Sequence, residues 1–186
     1  MTKAFIFLGP PGCGKGTQTE LLARELKLPH IDTGSLLRKN IKEGTDIGLV
    51  AKGFIDKGQL VPINVVSTVI KNRLMEADCA NGYILDGFPR SLEQAGELDK
   101  ILDELNGNIK KEDIMAVYFD IPNEVLVERL VNRRSCPKCG KIYNIKTSAP
   151  KKEGFCDDCD VELIQRKDDT EETAKLRFET YKNETH

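Results

Sequence analysis

The 186-residue sequence has no long apolar run and no large excess of charge of either sign. Its first apolar run, residues 5–8, is much shorter than the hydrophobic segment of a secretion signal, and no later run approaches the roughly 18 apolar residues of a membrane span. The 28 lysines and arginines nearly balance the 30 aspartates and glutamates, so no global field directs the chain to nucleic acid or to a membrane. We therefore expect a cytoplasmic, soluble protein that binds neither.

Internal repeats and low-complexity tracts are also absent, and the length favours one main domain with an insertion. Runs typical of buried strands occur at residues 3–8, 83–87 and 114–120, with a shorter one at 29–32, and helical patterns lie between them. This alternation predicts an α/β fold with a parallel sheet covered on both faces. In such folds ligands bind at the carboxyl ends of the strands.

The stretch GPPGCGKGT, residues 9–17, lies between the first strand and a helical pattern. Glycines bring backbone N–H groups close to a ligand, and the start of the helix adds further N–H groups at the same point. Lys15 can reach the outer phosphates, and the Thr17 hydroxyl can contact Mg²⁺ or a phosphate oxygen. The general phosphate-loop pattern has Ser or Thr directly after the lysine, whereas Gly16 intervenes here. We interpret the segment as a phosphate-binding loop, with an ordinary glycine-rich turn as the alternative.

A later strand ends at Asp86, in the stretch YILDGFPRS. An aspartate at this position can hold Mg²⁺, directly or through its water shell, and the alternative is a helix or turn cap. Arg90 lies near the same strand end and can bind a second anion.

Several arginines follow in the C-terminal half of the chain. A helix with Asn123 as its predicted N-cap carries Arg129 and Arg133 on one face. The pattern from Asp169 to Glu172 resembles a capping box at the start of another helix. Each arginine taken alone often belongs to a solvated charged face. Together the cationic residues can converge on two polyphosphate ligands, because phosphoryl transfer needs positioning and charge neutralisation. These residues are Lys15, Arg38, Arg90, Arg129, Arg133, Arg166 and Arg177.

Four of the six cysteines form two close pairs, Cys136 with Cys139 and Cys156 with Cys159. This spacing predicts four thiolates around Zn²⁺, at Zn–S distances of about 2.3 Å. Because the protein fills every ligand position, the metal is expected to fold the segment of residues 134–166, which has few large aliphatic residues, and to do no chemistry. Two disulfides or a redox pair are the alternatives. The remaining two cysteines, in the glycine-rich loop and at position 79, are expected to be small buried residues.

These motifs jointly resemble those of the adenylate kinase family, in its bacterial form with a long lid and a four-cysteine zinc site. The resemblance covers GPPGCGKGT, DTGSLLR, YILDGFPRS with Gln94, RLVNRR, the four cysteines and RKDDTEET. Such enzymes transfer the γ-phosphoryl group of MgATP reversibly to AMP, giving two ADP, and have the three-layer P-loop nucleoside monophosphate kinase fold. The resemblance implies a core of residues 1–32, 63–133 and 167–186, an AMP-binding insertion of residues 33–62, a lid of residues 134–166, and a monomer.

The same resemblance implies the role of individual residues. The expected ATP-binding residues are Gly12, Cys13, Gly14, Lys15, Gly16, Thr17, Arg129 and Arg133. The expected AMP-binding residues are Thr33, Gly34, Arg38, Gln59, Val61, Gly87, Arg90, Gln94, Arg166 and Arg177. The expected catalytic residues are Lys15, Asp86, Arg90, Arg133, Arg166 and Arg177, with Asp86 organising Mg²⁺ through water and with Asp168 and Asp169 aligning the arginines. The expected ligands of the structural Zn²⁺ are Cys136, Cys139, Cys156 and Cys159.

Two features depart from the family pattern. Ser35 stands where family members usually carry Asp, and serine can also cap a helix. The sequence stops at His186, inside the helix that carries Arg177, whereas relatives continue through another strand and a final helix. We expect an exposed sheet edge as a result, with an effect on activity and stability.

Three alternative functions stay open at this point. A kinase for another nucleoside monophosphate would use the same phosphate machinery, although Thr33 and Gln94 favour adenine. A nucleotide-binding module without catalysis is the second alternative. The third is a zinc ribbon that binds nucleic acid, which basic residues near the cysteines favour and nearby aspartates disfavour.

Overall fold

The computed structural model describes residues 3–105, 109–122 and 125–185. Its main sheet has four parallel strands in the order β2-β3-β1-β4. The strands are β1 (Ala4–Leu8), β2 (His30–Asp32), β3 (Tyr83–Asp86) and β4 (Ile114–Tyr118). The predicted strands and the parallel α/β architecture are therefore confirmed.

Strand β3 is buried at all four positions because strands flank it on both sides and helices cover the sheet. The register places Asp32 beside Asp86, so the carboxyl ends of β2 and β3 meet at one edge of the sheet. Strand β4 pairs only with β1 among the described residues, and the side chains of Met115 and Tyr118 are about half exposed. Within the described residues, β4 is thus an edge strand of the sheet.

Seven α-helices surround this sheet within the described ranges. They are α1 (Lys15–Leu26), α2 (Thr33–Glu43), α3 (Asp46–Ile55), α4 (Ile63–Leu74), α5 (Leu92–Leu105), α6 (Leu126–Val131) and α7 (Glu171–Glu184). None of the helices in the described part is long and apolar enough to cross a membrane.

The core joins the sheet to α4 and α5. Leu85 of β3 and Ile70 of α4 are fully buried, and Leu98 and Ile101 of α5 are almost so. Full burial of such a side chain contributes about 1.5–3 kcal/mol, so this core holds the strand ends in place.

Helices α2 and α3 form a close pair between β2 and α4. Gly48 of α3 lies so near α2 that a Cβ there would be 2.2 Å from the carbonyl oxygen of Asn40. Thr45 caps α3 by accepting a hydrogen bond from the Gly48 amide at 3.1 Å. This pair lies within residues 33–62, the insertion that the resemblance implies, whose bounds stay a prediction.

A second, smaller sheet lies in the cysteine-containing segment. It consists of the antiparallel strands β5 (Arg133–Ser135) and β6 (Ile142–Asn144), and isolated bridges join Ser135 to Ile164 and Phe155 to Glu162. Its buried cluster contains only Cys136, Tyr143 and Cys156, packed with a few partly buried residues. This core is small, as the sequence predicted. The exact domain bounds stay a prediction.

One sequence prediction about α6 is wrong. Helix α6 ends at Val131, and Arg133 starts β5 by pairing with Asn144, so Arg129 and Arg133 do not share a helix face. The predicted N-cap Asn123 lies outside the described residues.

The start of α7 differs as well. Its N-cap is Thr170, whose hydroxyl accepts a hydrogen bond from the Thr173 amide at 3.2 Å. Asp169 does not cap the helix, because its carboxylate is fully buried and pairs with Arg133.

Candidate functional site

A cavity of about 860 Å³ opens at the carboxyl ends of β1, β2 and β3. Every residue that the sequence predicted to bind ATP or AMP, or to act in catalysis, lines this cavity. The loop after β1, the start of α2, the segment after β3, the loop between α3 and α4, and the cysteine-containing segment all contribute to its wall. All seven cationic residues singled out in the sequence therefore share one cavity: Lys15, Arg38, Arg90, Arg129, Arg133, Arg166 and Arg177.

The loop between β1 and α1 presents backbone to the cavity. Gly12 has a φ of 86°, and a Cβ there would lie 2.8 Å from the carbonyl oxygen of Leu126, so only glycine fits. Gly14, with a φ of 96°, is the N-cap of α1 and has no neighbouring atom within 4 Å of its Cβ position. Residues 14–18 line the cavity, so the first turn of α1, with its unpaired N–H groups, lies at the cavity wall, where an anion can bind.

Lys15 lies across this loop. Its ammonium donates hydrogen bonds to the carbonyl oxygens of Gly9 at 2.6 Å and Pro10 at 3.1 Å, and lies 3.6 Å from Cys13 Sγ. Burial lowers the pKa of Lys15, while Asp86 opposes that effect. A phosphate entering the loop would provide the negative charge that this buried cation lacks.

Asp86 is buried at the end of β3, beside the first turn of α1. Its Oδ2 lies 3.7 Å from the Cβ position of Gly16. A carboxylate so close to a phosphate loop, with the Thr17 hydroxyl lining the same cavity, provides the hard oxygen ligands that Mg²⁺ prefers. These residues fit a magnesium ion that enters with a nucleotide.

His30 was not predicted from the sequence. Its Nε2 lies 2.9 Å from Thr19 Oγ1 and 3.6 Å from Asp86 Oδ2. Thr19 Oγ1 is also 3.0 Å from the carbonyl oxygens of Lys15 and Gly16. Because the threonine proton is donated to a carbonyl, Nε2 of His30 is the donor to Thr19, and it faces Asp86 as well. The contact depends on the register of β2 against β3, which local sequence does not encode.

Arg90 is held by the segment that follows β3. Its Nε donates to the carbonyl oxygen of Gly87 at 2.8 Å, and a Cβ on Gly87 would lie 2.9 Å from Arg90 Nη2. Gln94 Oε1 accepts a hydrogen bond from the Arg90 amide at 2.8 Å. Burial lowers the pKa of Arg90, and Asp86 and Asp32 oppose this.

Thr33, the first residue of α2, is buried in the cavity wall. Its hydroxyl is the only buried side-chain polar atom of the cavity lining, among the described residues, without a hydrogen-bond partner. An unpaired buried hydroxyl costs about 1–3 kcal/mol, so this atom indicates a ligand that would pair with it.

Two buried carboxylates hold two of the arginines. Asp169 accepts hydrogen bonds from both Nε, at 2.7 Å, and Nη2 of Arg133. Arg177 donates to Asp168 Oδ2 at 2.9 Å and to Asp169 Oδ1 at 3.2 Å. Burial lowers the pKa of Arg177 to about 10, against the effect of Asp168. The predicted contacts between these aspartates and the arginines are present.

Arg166 is more poorly neutralised. Burial, together with the nearby guanidinium groups of Arg38 and Arg133, lowers its pKa to about 10. Such crowding of cations disfavours the empty site and favours a bound polyanion. Arg129, on α6, lies on the exposed rim of the cavity.

The start of α2 corrects an expectation about Ser35. The N-cap of α2 is Asp32, whose Oδ1 accepts a hydrogen bond from the Gly34 amide at 2.9 Å. Ser35 is inside the helix, and its hydroxyl donates to Asp32 Oδ2. Asp32 also lies 3.4 Å from Arg38 Nη2. Asp32 was missed as a site residue, although it ends a predicted strand beside a helix start.

The four paired cysteines are close together in the small sheet. Their Sγ atoms all lie within 4.8 Å of one another, and those of Cys139 and Cys156 are 3.7 Å apart. A tetrahedral thiolate site with metal–sulfur bonds of about 2.3 Å needs sulfur separations of about 3.8 Å. The donor set therefore fits a bound metal ion, and no disulfide links these cysteines. Cys13 and Cys79 are buried, as expected.

Comparisons with known proteins agree with this arrangement. The family model described as adenylate kinase matches residues 7–186. An adenylate kinase of Clostridium botulinum strain Hall is 51% identical over 181 residues, which are 97% of this chain and 82% of the relative. An adenylate kinase of Clostridium perfringens strain 13 is 47% identical over 185 residues, which are 100% of this chain and 83% of the relative. An adenylate kinase of Clostridium novyi strain NT is 49% identical over 180 residues, 97% of this chain and 82% of the relative.

Proposed function

The chain belongs to the adenylate kinase family, and we propose that its cavity carries out the reversible transfer of the terminal phosphoryl group of MgATP to AMP, giving two ADP. The observation that carries this proposal is that the glycine-rich loop and seven cationic side chains line one cavity. The protein is thus a phosphotransferase, and the cavity has room for a donor and an acceptor.

The donor end is the loop after β1. Backbone N–H groups at the start of α1 would bind the β- and γ-phosphates of ATP, and Lys15 would leave its carbonyl partners to contact them. Gly12, Cys13, Gly14, Gly16 and Thr17 would surround the same phosphates. Arg129, at the rim, would pack near the donor adenine.

The acceptor end lies between α2 and the segment after β3. The unpaired Thr33 hydroxyl and the side chain of Gln94, which lines the cavity, would contact the adenine ring. Arg38 and Arg90 would bind the AMP phosphate. Gly34, Gln59, Val61 and Gly87 would complete this wall.

Transfer forms a bond between an AMP phosphate oxygen and the γ-phosphorus and breaks the bond to the oxygen that bridges the β- and γ-phosphates. The departing ADP keeps that oxygen. Arg133, Arg166 and Arg177 would neutralise the charge on the transferring group, which is the main task of the protein in this chemistry. Bound with ATP, Mg²⁺ supplies further charge neutralisation on the phosphates, and Asp86 would hold its water shell.

We propose that residues 134–166 form a lid, residues 33–62 an AMP-binding insertion, and the rest of the chain the core. Supporting this, Ile142 of β6 lies 3.6 Å from the Cβ position of Gly16, so the cysteine-containing segment reaches the phosphate loop. A cover is needed because water would otherwise take the phosphoryl group. The four cysteines would hold a structural Zn²⁺ that stabilises the lid.

A coupled assay of ADP formation tests the function. We expect far higher rates with ATP plus AMP than with ATP plus CMP, UMP or GMP. Equal or higher rates with another monophosphate would assign a different acceptor, and nucleotide binding without any transfer would make the chain a binding module. A monomeric state and a cytoplasmic location stay predictions, which sedimentation and cell fractionation test.

A matched pair of variants ties the activity to the cavity. Lys15→Met should abolish transfer because the loop then lacks its buried cation. Lys39→Met removes a lysine that is 70% exposed on α2, and should leave the rate unchanged. Similar rates for the wild-type chain and Lys15→Met would refute the proposed donor site.

A further inference from the structure

Asp32 places a negative charge among the arginines of the acceptor end. It is the last residue of β2, lies beside Asp86 in the sheet register, and lines the cavity. A carboxylate in a site for an anionic substrate opposes binding of that substrate. Its presence there therefore needs a physical reason.

The contacts of Asp32 link the cap of α2 to an arginine of the site. One carboxylate oxygen accepts from the Gly34 amide at 2.9 Å. The other accepts from the Ser35 hydroxyl and lies 3.4 Å from Arg38 Nη2. A Cβ on Gly34 would lie 2.9 Å from Arg38 Nη1, so the missing side chain lets the guanidinium fold back over the helix start towards Asp32.

Two further arginines also interact with this carboxylate. Burial lowers the pKa of both Arg90 and Arg166, and Asp32 opposes the effect at each. Burial also opposes ionisation of Asp32, but Arg38, the Ser35 hydroxyl and Arg166 hold its pKa below the usual range. Asp32 is thus ionised at neutral pH, with Arg38 in contact and Arg90 and Arg166 lining the same cavity.

We propose that Asp32 is a positioning residue, the internal counter-ion that holds Arg38 in the empty site, in the same cavity as Arg90 and Arg166, and gives up Arg38 to the phosphate of the acceptor nucleotide. The inference rests on the proposed function, because it takes the acceptor to be AMP. It has two consequences. The empty site is stabilised by Asp32, and AMP binds more weakly than it would without the competing charge.

The substitution Asp32→Asn separates charge from capping. Asparagine keeps an oxygen for the Gly34 amide and is an equally good N-cap, so α2 should persist. We expect the KM for AMP to fall about fivefold. This is the effect of removing one unit charge that lies about 8 Å from a unit charge on the AMP phosphate, at an effective dielectric constant of about 40. The KM for ATP should stay within about twofold and kcat should change less than the KM for AMP. The melting temperature without nucleotide should fall, while the rise caused by AMP should be larger than in the wild-type chain.

Two further variants complete the design. Asp32→Ser also keeps a capping oxygen, should behave like Asp32→Asn, and decides the question if the asparagine variant does not fold. Asp46→Asn removes an exposed carboxylate in the first turn of α3. This carboxylate forms no salt bridge within the described ranges, so the KM values for AMP and for ATP should both stay unchanged.

An unchanged or raised KM for AMP in the two Asp32 variants would overturn the inference, as would an equal fall in Asp46→Asn. A wild-type chain that does not phosphorylate AMP would instead refute the proposed function.

Discussion

Asp169 is the carboxylate on which the arrangement of the transfer site depends most. It is fully buried, and it contacts both Arg133 and Arg177, whose side chains are 15% and 17% exposed. Replacing it with asparagine keeps the volume and removes the charge. Two arginines then lose a buried counter-ion, although Asp168 still pairs with Arg177.

Removing one partner of a buried ion pair costs about 3–5 kcal/mol, and the remaining contact of Asp168 places Asp169→Asn near the lower value, about 3 kcal/mol. For a chain of this length the melting temperature should fall by about 6–12 °C. The rate of transfer should fall as well, because Arg133 would no longer be fixed by a two-point contact.

Thermal unfolding followed by circular dichroism, together with the coupled assay, measures both effects. The matched control is Asp56→Asn, which removes an exposed carboxylate paired with Lys52 at 2.8 Å. Exposed pairs contribute less than about 1 kcal/mol, so the melting temperature of the control should hardly change. Equal shifts in the two variants would refute the argument that the buried pairs hold the site.

Three further predictions concern the metal site, the pH dependence of stability and the acceptor site. Cys136→Ser should abolish stoichiometric zinc binding in freshly purified reduced protein and lower the melting temperature. The control Cys79→Ser should retain the metal. A full zinc complement in Cys136→Ser would exclude a four-cysteine site. Burial opposes ionisation of Asp168, but its arginine neighbours hold its pKa below the usual value of about 3.9. Its contribution to stability is therefore present above about pH 4 and is lost as the pH falls through the folded-state pKa. In Asp168→Asn the free energy of unfolding should consequently depend less steeply on pH in the acid range. Identical pH profiles for the variant and the wild-type chain would contradict this. Thr33→Val should raise the KM for AMP about three- to tenfold without lowering stability, because the hydroxyl has no protein partner. The control Thr68→Val, at an exposed position of α4, should leave the KM for AMP unchanged. Equal KM values in the two variants would count against an acceptor at Thr33.

The features that the sequence predicted correctly are those encoded within a short segment. The phosphate loop needs only a strand, glycines at fixed spacing and a helix start, and all three are contiguous. The clustering of the four cysteines likewise follows from two close pairs, because each pair forms its own turn and the two turns then need only meet.

Features that depend on pairing between distant segments could not be predicted. His30 and Asp32 become site residues only because β2 lies beside β3 in a particular register. Arg133 leaves its predicted helix because pairing with Asn144 competes with helix propagation. Asp169 and Thr170 are both good N-caps by sequence, and burial of the Asp169 charge against an arginine decides between them.

The central claim is that donor and acceptor meet in one cavity from which water is excluded. ATP labelled in its γ-phosphoryl group, incubated with the 186-residue chain, Mg²⁺ and AMP, tests this most directly. We expect the label to appear in ADP and little of it to be released as inorganic phosphate. Label found mainly in inorganic phosphate, or remaining in ATP, would contradict it.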